Sequence, residues 1–365
     1  MKELRKNYPN IESIYVIVMI VFFSIVYLTI ITLMFTLLYD GYLAFFTNKQ
    51  GTEFQLYSGI IGVILLVGMI WAFFPEKKNG LVLTKKDAPK IFQLVEKAVA
   101  KTKIHQINNI RLIPGSSIAV TGLFNKELLI GIASLRHITE KDFEAILYHE
   151  IGHFAAKDTK IGRILGIYFE TIEKQYISSL NFLRYCPHLY IAFIGLPSLI
   201  ITWLLLHLFS FLYAPYSKFK EYKADEFAVD NTNPKQFANA LGNYCAYTHA
   251  HDTIMSQIII ELLKENKKLN NVYATMTSNW TNENAEAAMS AVLGAEERFR
   301  DSHPSLRNRL NNLHITKVEE NKGDPLNSVI HNFEKFEERL SDDYTIRVGI
   351  NMGLLDRKTK KLNPA

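Results

Sequence analysis

Thr139 to Phe154 reads TEKDFEAILYHEIGHF, and two patterns overlap in it. Phe143, Ile146, Leu147, Ile151 and Phe154 recur at helical spacing, which predicts an amphipathic helix. Thr139 can cap that helix with Asp142 at the capping-box position, and Glu140, Lys141, Asp142 and Glu144 charge its first turns. Those charges assign the helix to a water-facing domain and not to the interior of a bilayer. Inside it, His149-Glu150-Ile151-Gly152-His153 is an H-E-x-x-H motif. Positions i and i+4 share a helix face, so both imidazoles can reach one metal ion. Glu150 follows the first of them and can hold a metal-bound water as general base. The five residues propose a zinc hydrolase, first of all a peptidase.

A catalytic zinc needs a third protein ligand and an open position. Glu221 and Asp225, again spaced i and i+4, offer one on a second helix face. One carboxylate can bind the metal while the other accepts a hydrogen bond from the far nitrogen of a ligand histidine and so fixes its tautomer. Further on, Pro304 suits a first helical position, which puts His303 near an N-cap with its imidazole projecting off the helix, in reach of an oxyanion.

The order of these motifs is similar to that of a known family. His149-Glu150-x-x-His153 with Asp158 five residues on, Glu221-x-x-x-Asp225, and Ser302-His303-Pro304-Ser305 with Arg309 resemble the HtpX-like membrane zinc metalloproteases, whose relatives include the CAAX prenyl endopeptidases. The similarity runs from about residue 81 to about residue 315. It implies one zinc per chain held by His149, His153 and Glu221, with Glu150 as base and supporting roles for Asp158 and Asp225. It also implies that His303 and Arg309 stabilise the transition state. In many members an Asn opens the strand before the A-x-x-T-G-like segment; here Ser117 precedes Ile118, Ala119, Val120, Thr121 and Gly122, so a hydroxyl takes that place at a candidate substrate strand.

The 48% hydrophobic content is concentrated. Ile14 to Leu38 and Leu56 to Phe74 are free of charged residues and long enough to cross a hydrocarbon core. The first lacks the cleavage pattern of a secretory signal. Lys2, Arg5 and Lys6 precede the pair and Lys77, Lys78, Lys85, Lys86 and Lys90 follow it, whereas the loop between them holds only Lys49 against Asp40 and Glu53. Positive residues favour the cytoplasmic side, so both termini of this hairpin and the catalytic domain are expected there, in the cell membrane. Leu189 to Ser217 is a third apolar run, interrupted by Pro197. Residues 161–185 before it carry Arg163, Glu170, Glu173 and Lys174 and predict an amphipathic helix. His153 and Glu221 must meet at one ion, so the chain between them crosses the membrane an even number of times. Residues 161–185 could form a partner span despite their charges, but a dip that returns near Pro197, or surface packing, is favoured, because four charges at mid-span are costly and Pro197 breaks the helix.

The net charge of +5 is modest, and no basic stripe interleaved with aromatics makes a case for nucleic acid. Cys186 and Cys245 lack metal-ligand spacing and read as packed thiols. Short strands are expected at Asn109 to Ile113, Ile118 to Thr121 and Leu128 to Ile132. Helices are expected at 87–102, 234–266 and 284–300, with a loop at 267–283 and a peripheral helix and tail after 315.

The expected fold is therefore mostly α with a small β-sheet, an α+β zincin-like catalytic domain behind N-terminal transmembrane helices. Residues 1–80 form the membrane hairpin, 81–315 the metallopeptidase domain with a membrane-associated insertion at about 189–217, and 316–365 a polar extension. An edge strand beside the metal could take an extended substrate by strand addition. The expected activity is hydrolysis of protein or peptide substrates at the cytoplasmic membrane face, by analogy in membrane-protein quality control. A dedicated processing protease and a non-catalytic, zinc-stabilised chaperone are the alternatives. Oligomeric state has no signal in the sequence.

Overall fold

The computed structural model describes residues 11–46, 55–63, 66, 79–102, 106–122, 125–155, 159–185, 189–265, 267, 270–299, 301–319 and 322–355. Most of them are helical, with one small sheet, as expected. The chain divides into two compact units. One comprises Met1–Lys77, Lys157–Phe219 and Phe299–Ser302; the other comprises Lys78–Ala156, Lys220–Arg298 and His303–Ala365.

The second unit holds the sheet. Strands β1 (Leu81–Leu83), β2 (Asn109–Ile113), β3 (Ile118–Thr121) and β4 (Glu127–Gly131) lie in the order β1-β2-β4-β3. β2 and β4 are parallel, and the outer pairs are antiparallel. β3 is thus an edge strand. At the β3–β4 turn Gly122 sits at φ +97°, where a side chain would also collide with the Asn125 carbonyl.

Alternation along β2 and β4 buries Ile110, Leu112, Leu128 and Ile130 against helix α2 (Pro89–Ala100), which contributes Ile91, Leu94, Val95 and Ala98. Helix α3 (Glu140–Ala155) follows directly from β4 through the 3-10 turn Ile132–Arg136. Its capping box forms as read: the Thr139 amide donates to Asp142 Oδ2 at 2.9 Å, and the Asp142 amide donates to Thr139 Oγ1 at 3.2 Å. Phe143, Ile146, Leu147 and Ile151 are fully or nearly fully buried in the same core.

Two sequence expectations in this unit change. Residues 267–283 include helix α7 (Val272–Asn279), capped by Asn271, whose side chain accepts from Tyr273 and Ala274 amides. Its polar composition hid the helix, because Asn271 and Asn279 serve its ends and only Val272, Tyr273 and Met276 face inward. The helix after residue 315, α10 (Phe333–Asn351), is not peripheral. Phe333 and Leu340 belong to the core, and buried Glu337 forms a bidentate ion pair with Arg136.

The first unit is helical. Helix α1 (Ile11–Phe46) contains the first apolar run, and residues 55–63 are helical in the second; the rest of that run lies outside the described residues apart from residue 66. Helices α4 (Thr159–Tyr185) and α5 (Leu189–Asn231) follow, α5 belonging to this unit as far as Phe219. α5 is continuous through Pro197 and Pro215, so the chain does not turn back at Pro197. Neighbouring helices tolerate the lost backbone bonds of an internal proline by supplying the surrounding packing. The return is made by α4 instead. Phe169 packs on Phe209 and Tyr213 near one end, and Ser179 shares a hydrogen bond with Ser198 at 2.9 Å near the other, which makes α4 and α5 an antiparallel pair. α1 joins them through Val16, Met19 and Phe23, with Ser24 bonded to Tyr168 at 2.8 Å.

Among the described residues, two helices, over Ile14–Phe46 and Leu196–Asn231, are long and apolar enough to cross a membrane. Much of that surface is exposed: Ile200, Leu204, Leu208 and Phe211 form one outward stripe along α5. Apolar surface of this extent marks association with lipid. The charge-free part of α5 ends at Ser217, before the site-bearing turns.

Candidate metal centre

Gly152, between the two histidines of the motif, decides how the site closes. A Cβ there would stand 3.1 Å from Ala224 Cα, 3.2 Å from the Ala224 carbonyl and 3.2 Å from Phe227 Cβ. The missing side chain lets α3 and the last turns of α5 approach closely. Glu221, one turn before Ala224, then reaches the two imidazoles.

Glu221 Oε2 lies 3.4 Å from His149 Nε2, and Glu221 Oε1 lies 3.5 Å from His153 Nε2. One ligand atom from each of the three residues falls within 4.8 Å of the others. Metal–ligand bonds of about 2.0–2.2 Å at tetrahedral angles separate their donor atoms by roughly 3.3–3.6 Å, so the two carboxylate contacts fit ligands sharing one ion. The charge fits as well. Glu150, Glu221 and Asp225 against Arg309 leave two negative charges when the imidazoles are neutral, which a divalent cation balances.

Asp225 supports from behind. Its Oδ1 is 3.0 Å from His149 Nδ1, which leaves Nε2 turned toward Glu221. Arg309 Nε donates to Asp225 Oδ2 at 2.9 Å, and its Nη2 donates to Oδ1 of the same carboxylate. Asp225 is fully buried and Arg309 nearly so. Arg309 Nη1 is 3.4 Å from Glu221 Oε2. The guanidinium thus faces the carboxylates and not an open cleft. Phe237 stacks on the other side of the His149 ring, 5.9 Å between centroids.

His303 is exposed, and its Nδ1 lies 3.0 Å from Glu221 Oε1. Its position in the chain differs from expectation. Helix α9 (Leu306–Asn312) is capped by Ser305, whose hydroxyl accepts from the Asn308 amide, so Pro304 precedes the helix and His303 stands two residues before the cap. The Ser305 amide is held by Glu297 at 3.0 Å. Asp158 lies outside the described residues.

The titration of these groups follows their surroundings. Burial works to lower His149, but hydrogen bonds with Asp225 and Glu221 outweigh it and lift the imidazole to about 9. Burial, reinforced by the neighbouring His149 charge, pushes His153 down to about 3. Burial raises the Glu150 carboxyl, with Glu221 adding to the effect. Glu221 is held well below the usual carboxylate range, because bonds from His149 and His303 more than offset its burial. Asp225 is lowered in the same way, chiefly by Arg309 against its burial.

The strand Ser117 to Gly122 lies beside this centre. The Glu150 carboxyl stands beside Val120, and the Ile118 amide donates to the Tyr244 hydroxyl at 2.7 Å. Tyr244, from helix α6 (Pro234–Lys264), carried no signal in the sequence: it is one aromatic residue among many on a helix. Gly152 was legible as part of the motif but not as the contact that admits Glu221.

A small sheet leading into an H-E-x-x-H helix, with a glutamate delivered from a second helix, is the arrangement of zincin-type metallopeptidases. The chain belongs to Peptidase family M48, whose signature matches residues 87–317. This agrees with the resemblance read from its motifs. It is similar to the uncharacterized metalloprotease YhfN of Bacillus subtilis (strain 168), 24% identical over 198 residues, covering 51% of this chain and 44% of the relative. The chain thus spans less than half of that relative's length. Among solved structures, S. mikatae Ste24p aligns over 80% of this chain and 63% of its own, at 17% identity and a TM-score of 0.33. The family implies a divalent metal, and the His149, His153 and Glu221 set suits one.

Proposed function

We propose that the chain is an integral-membrane, zinc-dependent endopeptidase acting on proteins or peptides at the cytoplasmic membrane face. The observation that carries this is the convergence of His149, His153 and Glu221 beside buried Glu150. Two imidazoles and one carboxylate are a donor set that zinc favours, and among the described residues three such side chains meet, which suits a site with an open position. When bound, zinc supplies Lewis acidity toward the scissile carbonyl and the attacking water.

The protein's own groups do the rest. Glu150, with a carboxyl raised by burial, takes the proton of the attacking water and passes it to the leaving nitrogen. His303, exposed beside Glu221, is placed to donate to the developing oxyanion. Arg309 is a positioning residue in this scheme: it holds Asp225, which holds His149. Asp158 is proposed as a further support on the resemblance alone. The edge of β3 takes the substrate as an added strand, with Ser117 in the place an Asn holds elsewhere.

Lysines on both flanks of the N-terminal hairpin support a catalytic unit on the cytoplasmic side. The antiparallel α4–α5 pair takes the chain out and back, which returns Glu221 to the side of His153. Residues 1–80 serve as the anchoring hairpin, 81–315 as the peptidase domain and 316–365 as its C-terminal extension. Removal of damaged membrane proteins is the role that fits a backbone-reading edge.

The test is a comparison of the zinc-loaded protein with its Glu150→Gln variant on a mixture of membrane proteins. The expected result is many cut sites for the first and none for the second, both holding stoichiometric zinc. Equal hydrolysis by the two proteins overturns the reading.

A further inference from the structure

The outward edge of β3 is occupied at two points by different kinds of residue. The Gly131 amide donates to the Ser117 carbonyl at 2.6 Å, which sets the alternation: Ala119 and Thr121 bond toward β4, and the amides of Ile118 and Val120 point away from it. Both outward positions have a neighbour across the edge. Glu150 stands beside Val120, and the Ile118 amide donates to the Tyr244 hydroxyl at 2.7 Å. Glu150 serves the attacking water in the reading above. Tyr244 has no such second task. It is half-buried on α6, where it packs against the core beside fully buried Ala240 and nearly buried Tyr247.

We propose that Tyr244 is the end stop of the substrate edge and limits how far the leaving side of a peptide can pair. The inference rests on the strand-addition reading above. A peptide adding antiparallel to β3 has its cut bond near Val120, where Glu150 stands. Such a chain runs toward its C-terminus in the direction of Ile118, two residues along. There the strand's donor is already spent and a phenol ring fills the approach. Backbone pairing therefore ends about two residues beyond the cut, and a longer leaving segment must turn off the edge. The preferred substrates have either a short C-terminal remainder or a flexible one.

The experiment uses the full, zinc-loaded chain and a ladder of peptides. All share one sequence before the cut and carry one to five residues after it. For the natural protein, kcat/KM is expected to rise through the second residue and then level off. In Tyr244→Ala the rise should continue by about 3- to 10-fold over the next positions, the worth of one or two added backbone hydrogen bonds. Tyr244→Phe keeps the ring and deletes the acceptor, so it should keep the plateau while the Ile118 amide exchanges with deuterium faster than in the natural protein. A plateau unchanged in Tyr244→Ala, or a natural protein that gains steadily to the fifth residue, overturns the end stop. If Tyr244→Ala does not fold, Ile118 exchange unaltered in Tyr244→Phe overturns it without any substrate. Zinc-loaded natural protein that cuts no peptide in the ladder overturns the peptidase reading itself, a result distinct from either of these.

Discussion

Asp225 Oδ1 lies 3.0 Å from His149 Nδ1, and the same carboxylate is gripped by two nitrogens of Arg309. The first histidine of the motif is thus held through its far nitrogen by a fully buried acid that is itself held in place. Orientation of a ligand imidazole from behind governs metal affinity. Asp225→Asn should weaken zinc binding by about 10- to 100-fold, and should also lower stability because it leaves Arg309 buried against a neutral partner. Competition with a chromophoric chelator measures it; affinity equal to that of the natural protein would separate Asp225 from the metal.

Metal binding should release protons with a defined pH dependence. Carboxylate contacts lift His149 to about 9, so below that pH the metal-free site carries a proton that the ion must displace. His153, pushed down to about 3, carries none over the same range. Calorimetry in buffers of different ionisation enthalpy should find close to one proton released at pH 7 and a fall toward none as pH rises through about 9. The sign for stability is the same: a raised histidine stabilises the metal-free fold fully below its unfolded value near 6.5, and that contribution is lost as pH climbs through about 9. Two protons released at pH 7 would contradict the split between the histidines.

Gly152→Ala separates packing from helix propensity. In an exposed helix the change stabilises by about 1 kcal/mol. Here the added methyl meets the backbone of Ala224 at 3.1 Å, so α3 and α5 must part. Overpacking of this kind costs roughly 1–3 kcal/mol, and the displacement moves Glu221 away from the imidazoles. A lower melting temperature together with reduced zinc content is expected. A more stable variant with full zinc would mean the helices have room.

His303 and Arg309 should part company on mutation. His303→Ala is expected to keep its zinc and lose turnover by about 2.7–4 kcal/mol in barrier, if its exposed imidazole carries a main oxyanion contact. Arg309→Ala leaves Asp225 buried without its partner, a loss of about 3–5 kcal/mol in stability, with zinc affinity falling alongside. Thermal melts and metal analysis on both variants read the difference. Zinc loss in His303→Ala with full retention in Arg309→Ala would reverse the assignments.

Local chemistry was legible along the chain. H-E-x-x-H, its capping box and its apolar stripe concern residues within one helix, where spacing alone decides which side chains share a face. The strands around Ile110, Ile118 and Leu128 were readable for the same reason, through alternation and the glycine turn. So was Glu221 with Asp225 as a pair, though their division of labour came from the family's motif order and not from spacing.

What the tertiary structure decided are relations between distant segments. α5 continues through Pro197 with α4 packed along it, and a rule for isolated helices misjudged a proline that has neighbours. α10 looked peripheral because its surface is charged, yet Phe333, Glu337 and Leu340 face the core. Arg309 is turned to Asp225, 84 residues earlier, and not to a cleft. Tyr244 meets Ile118 across 126 residues. No periodicity records such meetings: a sequence pattern reports which face a residue occupies, while only packing determines what that face is pressed against.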